Sequence, residues 1–258
     1  MFVKKLKIIL QIMKIFKNWY MYSIVYFKLT NKKFVIFKTK TNLKIKLRVR
    51  STDLMALTHV WLIQEYYNND FKINDNDIII DIGAHIGLFS LYASQFCKNG
   101  KIYCFEPVKE NFDLFLSNIK LNKIENIFPF NIAVSNKSSI AKIYLNKDEA
   151  GHSMFHPTLS SIEVKSTTLQ KIFEDNNLEK CDFLKLDCEG AEYNIMDSLS
   201  KEFFQKIRKM VIEYHFANTE PGLLKNLIEK LENFSFRISI KPLFSDIGFL
   251  YCVNQQLK

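Results

Sequence analysis

From residue 78 onward, short apolar runs alternate with longer segments that have helical spacing. Continuous apolar runs of strand length are typical of strands buried on both faces of a parallel sheet. The longer segments can supply the crossover helices that parallel strands require, so the pattern predicts a doubly wound α/β sheet. The predicted strands are 78–82, 101–105, 127–134, 183–186 and 210–213, and the predicted helices include 88–96, 110–122 and 193–199.

The patterns outside this region differ. Two strand-like runs, 234–240 and 247–253, predict a terminal antiparallel hairpin. Residues 34–50 alternate with period two, placing Lys and Arg on one parity and Leu, Ile and Val on the other. This alternation predicts a half-buried strand or hairpin that turns near residues 41–42. Residues 51–67 are predicted to be helical, with Asp53 in the first turn.

Residues 2–28 combine large apolar side chains with lysines at a spacing that predicts an amphipathic helix. Packing against its own domain is the ordinary role of such a helix, and docking to a membrane surface or a partner is the alternative. The longest uncharged stretch nearby has ten residues, 18–27, against the ~20 needed to span a bilayer. We therefore expect no membrane crossing. The residues that can share one face are Leu6, Ile9, Leu10, Met13 and Phe16.

Charge is distributed unevenly along the chain. Residues 1–50 contain 12 Lys and 2 Arg without any acidic residue, which leaves −5 of the net +9 for the remainder. A basic arm on a mildly acidic body suggests an anionic partner, namely a membrane surface, an acidic glycan or nucleic acid, although a solvated basic face gives the same pattern. We divide the chain into a basic extension, 1–50, and an α/β domain, 51–258.

The cysteines and the amino-terminal residues indicate the cellular compartment of the protein. There are five cysteines without a CxxC pair, and most lie in apolar strand-like runs, which predicts reduced, buried thiols. No small-residue cleavage site follows the basic start, so no secretory signal is expected. We therefore expect a cytoplasmic protein, with the inner membrane surface as the alternative.

A loop with two glycines directly follows the first predicted strand of the sheet. It reads Asp81-Ile-Gly83-Ala84-His85-Ile-Gly87 and opens a helix. Gly83 permits a tight turn where a side chain would collide with a ligand, and Gly87 lets the helix pack close to the strand. Neither GxGxxG nor GxxxxGK[ST] is present, so a phosphate cradle is not indicated. A ligand without a phosphate needs no such cradle, and Asp81 can hold a cationic ammonium group or a water-bridged polar group.

The second predicted strand ends in a carboxylate. Glu106 lies 25 residues after Asp81 and is followed by Pro107. An acidic side chain at this place can accept hydrogen bonds from both hydroxyls of a ribose. The alternative is a charge that caps the following helix.

These segments, in this order, closely resemble the FkbM family of methyltransferases. The resemblance covers roughly residues 50–215 and implies a Rossmann-like class I methyltransferase fold, a mostly parallel seven-stranded sheet with a terminal antiparallel hairpin, here with an N-terminal helix and β-hairpin extension. It implies S-adenosylmethionine as cofactor, and transfer to hydroxyl groups of sugars, glycans or related natural products. The matching segments are DIGAHIGLFS (81–90), FEP (105–107), NIAVS (131–135), TTLQKIF (167–173) and FLKLDCEGAE (183–192).

The resemblance also implies which residues hold the cofactor. The glycine loop and Glu106 contact it, and residues 131–135 border the adenine. One departure is His85, where the family often has Asn. The full predicted cofactor site comprises Asp81, Gly83, Ala84, His85, Gly87, Glu106, Pro107, Asn131, Ala133 and Ser135.

Methyl transfer requires an acceptor oxygen in line with the methyl carbon and a group that takes its proton. Asp187 and Glu213 end neighbouring predicted strands, and His215 follows two residues later. These three side chains are our candidate catalytic residues. They can act without a metal, with His215 as the base, or they can bind Mg²⁺ or Mn²⁺.

Four further residues are candidates near this centre. Glu189 and Glu192 open a helix, where they either cap it or contact substrate. His152 lies with His156 in a Gly- and Pro-bounded loop, and His152 is predicted to touch substrate. Lys185 lies within a buried strand and therefore needs a partner carboxylate.

The predicted function is an O-methyltransferase acting on a small-molecule or glycan hydroxyl. A non-catalytic scaffold that retains the cofactor fold, docked to an anionic membrane by residues 1–28, is the alternative, and another acceptor class is a third. We expect no nucleic-acid substrate, because the chain has no Asn/Asp-Pro-Pro-aromatic tetrapeptide and its basic residues are not interleaved through the catalytic region.

Overall fold

A twisted sheet forms the centre of the protein in the computed structural model, which describes residues 2–67, 70–144 and 160–257. Within these residues the sheet has seven strands in the order β11-β12-β10-β9-β3-β4-β5, and only β12 runs antiparallel to the others. The expected fold class is confirmed. The strands are β3 (Ile78–Ile82), β4 (Lys101–Phe105), β5 (Ile127–Phe130), β9 (Phe183–Leu186), β10 (Lys209–Tyr214), β11 (Phe236–Pro242) and β12 (Gly248–Asn254).

Helices cover both faces of this sheet. Apart from the partly buried Ile78, the central strands β3 and β9 are buried because helices pack on each side, as the continuous apolar runs predicted. Strand order reverses between β3 and β9, which is where open α/β sheets form a ligand crevice. The helices are α4 (Leu88–Ala93), α5 (Lys109–Asn122), α6 (Leu169–Asp175), α7 (Glu192–Ser198), α8 (Lys201–Gln205) and α9 (Pro221–Asn233).

A second, small sheet was not anticipated. Its strands are β6 (Ala133–Ser135), β7 (Ile140–Tyr144) and β8 (Ser161–Thr168), in the order β6-β8-β7. The prediction of one strand over 127–134 was therefore wrong, since the chain leaves the central sheet after β5. Asn131 lies at this break, and its amide donates to the carbonyls of Glu106 at 2.9 Å and Pro107 at 3.0 Å.

The amino-terminal extension contains two helices rather than one. They are α1 (Phe2–Ile15) and α2 (Tyr20–Tyr26). The break has a local cause: Asn18 donates to the carbonyl of Ile36 at 2.8 Å and accepts from the amide of Lys38 at 2.7 Å. These bonds fix the chain beside the hairpin of β1 (Phe34–Lys38) and β2 (Lys44–Arg48), which forms where it was predicted.

From Ile8 onward, where side chains are described, the buried face of α1 differs from the predicted one; Leu6 of that predicted face lies outside this range. Ile12 and Phe16 are buried, whereas Ile9, Leu10 and Met13 are exposed. The packed face joins one hydrophobic cluster with the hairpin and with residues of the α/β domain such as Leu88. The boundary at residue 50 stays a prediction.

Residues 53–63 form a further wall over the sheet. Helix α3 (Asp53–Leu57) continues directly into a π-helix, Thr58–Ile63, which ends at Gln64 in a left-handed conformation with φ 59°. Wider π-helical turns are often found at functional sites. This segment leads into Tyr66 at the carboxyl ends of the central strands.

The five cysteines are free thiols; four are buried, and Cys188 is partly buried. No helix within the described residues combines the length and the apolar character that crossing a membrane requires.

Candidate active site

A cavity of about 360 Å³ lies at the carboxyl ends of β3, β4, β9 and β10. It occupies the crevice at the reversal of strand order, where the fold places ligands. Its lining residues include members of the glycine loop, the acidic residues at the strand ends, residues of α5 and β6, and side chains that precede the sheet. Among them are Met55, His59, Tyr66, Gly83, Ala84, His85, Glu106, Pro107, Asn111, Ala133, Val134, Lys185, Asp187, Glu189, Glu213 and His215.

Gly83 and Gly87 are required for different reasons. Gly83 has φ 76°, and a Cβ there would lie 1.7 Å from the carbonyl oxygen of Asp187. Gly87 has φ 83°, and a Cβ there would lie 2.0 Å from the ring of Phe115. Gly83 therefore keeps the loop against the end of β9 and lines the cavity, whereas Gly87 is absent from the lining and lets α4 approach α5.

His85 occupies a left-handed position that favours short polar residues, with φ 51°. The Asn that is common in the family at this place suits the same conformation. Burial lowers the pKa of His85 to about 4, so the imidazole is neutral at physiological pH. Its Nε2 lies 3.1 Å from Arg48, which also binds Asp53 at 2.7 Å and so joins the hairpin to the glycine loop.

Glu106 faces the cavity from the end of β4. Its carboxylate accepts hydrogen bonds from the backbone amides of His85 at 2.8 Å and Val108 at 2.9 Å. Burial raises the pKa of Glu106 to about 7, even though these amides favour the ionised form. The two oxygens have further lone pairs with which they can accept hydroxyl donors.

Asp81 lies behind the cavity rather than in its wall. It is fully buried, accepts from Ser90 at 2.5 Å and pairs with Lys185 at 3.1 Å. Lys185 is 3.6 Å from Asp187, so the expected partner carboxylates of Lys185 are confirmed. Burial alone would lower the pKa of Lys185, but Asp81 and Asp187 raise it, and the amine stays protonated. Asp81 therefore positions a cation instead of meeting a ligand directly.

The predicted adenine border is only partly in the cavity wall. Ala133 and Val134 line the cavity beside Pro107, while Asn131 and Ser135 do not. The Asn131 side chain is occupied by the two carbonyls described above, and Ser135 donates to Asn136 at 3.3 Å.

Asp187, Glu213 and His215 meet as predicted from their strand-end positions. One ligand-type atom from each lies within 4.8 Å of the others. Tyr66, which has no recognisable motif around it, lies between the two carboxylates. Its hydroxyl lies 2.8 Å from Asp187 and 3.1 Å from Glu213, and it can donate to only one of them at a time.

His215 is held by a carboxylate outside the cavity. Glu192 is fully buried and contacts both the backbone amide and Nδ1 of His215 at 3.0 Å. It also accepts from the amide of Gly190 at 2.8 Å. Glu192 therefore orients His215, and it does not line the cavity where a substrate contact was predicted. Glu189 does line the cavity, with Oε2 at 3.5 Å from Nε2 of His215.

Burial and these contacts shift the pKa values of His215, Glu213 and Glu189. Burial lowers the pKa of His215, but its hydrogen bond to Glu192 and the charges of Glu192, Glu189 and Glu213 outweigh that effect and raise it to about 10. Burial, followed by repulsion from Asp187, raises the pKa of Glu213 well above its usual value. Burial likewise raises the pKa of Glu189 to about 7. In the cofactor-free cluster the protonated form of His215 is therefore favoured, which argues against the predicted role of His215 as the base.

The remaining predicted substrate residue, His152, lies with His156 outside the described residues. A second cavity of about 540 Å³ adjoins the first, and Met55 and His59 line both. Its other lining residues include Tyr22, Tyr26, Lys28 and Arg50 of the basic extension. The sequence identified this segment as basic, but only long-range packing places it beside the active site.

The strand order, with a cavity at the point where it reverses, is that of a class I methyltransferase fold. The domain model of the FkbM methyltransferases matches residues 81–238. The chain belongs to this family and is a methyltransferase that depends on S-adenosylmethionine.

Individual relatives are distant. The chain is 21% identical to 31-O-demethyl-FK506 methyltransferase FkbM of Streptomyces tacrolimicus, over 70% of this chain and 81% of the relative. It is 21% identical to hexuronic acid methyltransferase AglP of Haloferax volcanii, over 69% of this chain and 74% of the relative. A crystal structure of methyltransferase FkbM from Methylobacillus flagellatus superimposes with a TM-score of 0.52 at 17% identity. That match covers 77% of this chain and about half, 53%, of the crystallised one.

Proposed function

We propose that this protein transfers the methyl group of S-adenosylmethionine to a hydroxyl oxygen of a sugar, glycan or related natural product. The supporting observation is one cavity that has Glu106 and the glycine loop on one side and Asp187, Glu213 and His215 on the other. An alcohol is a very weak acid, so transfer to it needs a nearby proton acceptor. The acceptors in the names of the two relatives agree with this class.

The cofactor fits the side of the cavity that contains Glu106 and the glycine loop. Glu106 accepts the ribose hydroxyls, and Pro107, Ala133 and Val134 provide the apolar surface that an adenine ring needs. Gly83 leaves room beside the end of β9, so the sulfonium end can approach Asp187 and Glu213. This arrangement directs the methyl group toward the acidic cluster.

The ionised form of Glu213 is the proposed base, in place of His215, because the raised pKa of this carboxyl group makes its carboxylate a stronger proton acceptor. In the transfer the acceptor oxygen forms a bond to the methyl carbon while the carbon–sulfur bond breaks and its electron pair stays on sulfur. The hydroxyl proton passes to the carboxylate of Glu213 and later to water. Tyr66 donates to Asp187 while Glu213 is the acceptor, and protonated His215 stabilises the negative charge of the cluster.

Metal binding is the second candidate for the same cluster. Asp187, Glu213 and His215 provide two oxygens and one nitrogen within 4.8 Å of one another, a donor set that suits Mn²⁺ or Mg²⁺. Such an ion would lower the pKa of the acceptor hydroxyl. Lys185, 3.6 Å from Asp187, already supplies a cation there, and this favours the metal-free reaction.

The acceptor is proposed to carry an acidic group. Lys28 and Arg50 line the second cavity together with Tyr22 and Tyr26, and that cavity shares Met55 and His59 with the first. Cations bind carboxylates, and aromatic faces pack against sugar rings. A uronic acid whose hydroxyl points to Glu213 would suit both cavities.

The test is transfer of label from S-[methyl-¹⁴C]adenosylmethionine to matched neutral and uronic-acid nucleotide sugars, with the product position read by NMR. Glu213→Gln should lower turnover by at least about a hundredfold, the usual range for general base catalysis, while Glu232→Gln, an exposed carboxylate on α9, should have no effect. EDTA should leave the rate unchanged. Tight cofactor binding without transfer to any hydroxyl would favour the scaffold alternative, and loss of activity in EDTA with recovery in Mn²⁺ would favour the metal.

A further inference from the structure

Helix α1 has two apolar faces over residues 8–15, where its side chains are described, and only one of these faces is covered. Ile12 and Phe16 pack into the core, together with the partly buried Ile8 and Ile15. Ile9 and Leu10, by contrast, are 51% and 60% exposed, and Met13 continues that side one turn later. A soluble surface helix normally shows polar residues on its outward side. The outward face of α1 therefore has the composition of a surface that packs against an apolar partner.

The segment that follows α1 also exposes apolar side chains. Trp19, Tyr20, Tyr26, Phe27 and Leu29 are exposed, the last two at 64% and 71%. Several of these rings contact each other: Trp19 lies 6.4 Å from Tyr20, and Tyr26 lies 5.1 Å from Phe27. Exposed Trp and Tyr are typical of protein surfaces at the membrane–water interface, because one end of the ring is apolar and the other polar.

The charge of the same segment points to the chemistry of its partner. Residues 1–50 contain 14 Lys and Arg and no acidic residue. Lys14, Lys17, Lys28 and Lys32 are exposed alongside the apolar side chains. We propose that this N-terminal docking surface, made of Ile9, Leu10, Met13, Trp19, Tyr20, Tyr26, Phe27 and Leu29 with those four lysines, binds peripherally to an anionic lipid bilayer.

Two other occupants fit the observations less well. A second copy of the chain would use the same surface in a twofold interface and would place two strongly basic segments against each other. A membrane-spanning mode requires a length that α1, with 14 residues, does not have. A helix that lies in the membrane interface places its lysines at the lipid headgroups and its apolar side chains in the outer acyl region. This arrangement agrees with both the positive charge of the segment and the length of α1.

Docking would also orient the active site. The second cavity is lined by Tyr22, Tyr26 and Lys28, so it adjoins the docking surface. An acceptor held at the membrane surface would then reach that cavity from the bilayer side. The docking proposal itself goes beyond the proposed function, because binding to lipid is measured without any methyl transfer.

The first test is co-sedimentation of the full-length protein with vesicles of phosphatidylglycerol and phosphatidylcholine, compared with phosphatidylcholine alone. Binding is expected only with the anionic lipid and should weaken in high salt, because salt screens exposed charges. The apolar variant Leu10→Gln/Met13→Gln/Phe27→Gln and the charge variant Lys14→Glu/Lys32→Glu should each lower the partition coefficient at least tenfold. Ile140→Gln, which removes an equally exposed apolar side chain outside the extension, should have no effect.

The two tryptophans give a second readout. Trp19 is exposed, whereas Trp61 is 1% exposed and donates to the carbonyl of Leu88. Anionic vesicles should shift the emission of Trp19 to the blue, and brominated acyl chains should quench it. Trp19→Phe should abolish the shift while the emission of Trp61 remains.

Three results would overturn the proposal. One is full-length protein that stays in the supernatant with anionic vesicles at low salt. Another is binding that the apolar variant leaves unchanged, since that excludes insertion of these side chains. The third is a wild-type dimer in sedimentation velocity that the apolar variant converts to a monomer, because the surface would then belong to self-association.

Discussion

At the scale of single residues, buried carboxylates determine how the site responds to pH. Glu106 and Glu189 both have a pKa raised to about 7 by burial, so each is partly protonated near neutrality. A raised carboxyl pKa means that the folded, cofactor-free protein favours the protonated form. Each group therefore contributes stability at low pH that is lost as the pH rises from about 4.5 through about 7.

Cofactor affinity should show the opposite dependence, because ribose hydroxyls bind best to ionised Glu106. The dissociation constant of S-adenosylhomocysteine should fall about tenfold between pH 6 and pH 8, as one titration near pH 7 requires. Calorimetry at both pH values checks this. Glu106→Ala should remove the pH dependence and weaken binding by about 2 kcal/mol, for two hydrogen bonds of about 1 kcal/mol each. Unchanged affinity in folded Glu106→Ala would remove the ribose assignment.

Tyr66 is predicted to act on turnover through the two carboxylates that it joins. Tyr66→Phe removes a hydrogen bond to a charged group, a contribution of about 1.5–3 kcal/mol, so kcat should fall about ten- to hundredfold. Affinity for S-adenosylhomocysteine should change little. Steady-state kinetics and calorimetry measure the two effects, and exposed Tyr20→Phe serves as the control. Equal losses in both quantities would indicate a general packing defect instead.

At the scale of elements, close approaches between helices and strands explain which glycines matter. Gly87 allows α4 to meet the Phe115 ring of α5, whereas nothing lies within 4 Å of the position that a Cβ would take at Gly222 in α9. Gly87 therefore leaves no room for a side chain, whereas Gly222 does, although both residues lie at the beginning of a helix.

Alanine substitution should separate the two positions. Gly87→Ala combines a left-handed φ with a clash against Phe115 and should lower the free energy of unfolding by at least about 2 kcal/mol. Gly222→Ala should raise it by up to about 1 kcal/mol, because Ala favours a helix over Gly. Urea unfolding of both variants measures these changes. A neutral Gly87→Ala would show that α4 can move away from α5.

At the scale of the whole molecule, the amino-terminal extension is part of the hydrophobic core. Phe16 is fully buried, and the centroid of its ring lies 5.3 Å from that of Phe37 and 6.0 Å from that of Trp61. It belongs to the same hydrophobic cluster as Leu88 and Leu91 of α4. Deleting the extension would therefore expose core surface, which is why the docking tests use surface substitutions.

Phe16→Ala should cost about 3–5 kcal/mol of stability, the usual range for a buried Phe. Phe27→Ala, in the same segment but 64% exposed, should change stability by no more than about 0.5 kcal/mol. Thermal or urea unfolding of the pair checks the prediction. Similar small changes in both would mean that the extension is dispensable for folding.

The sequence by itself determined the features that depend on local pattern. Most strands of the central sheet, the glycine loop, and the positions of Glu106, Asp187 and Glu213 at or beside strand ends follow from the apolar runs and from the residues that close them. Parallel strands of one sheet end on the same side, so it was also predictable that Asp187, Glu213 and His215 would meet.

Only the tertiary structure decided what those side chains contact. Tyr66 reaches Asp187 across 121 residues of sequence, and Glu192 reaches His215 across 23, so neither pairing leaves a local signal. The same holds for α1: helical spacing places Ile9, Leu10 and Met13 on one side but does not say which side the hairpin and α4 will cover. Long-range packing makes that choice, because burial depends on which surfaces the rest of the chain brings together.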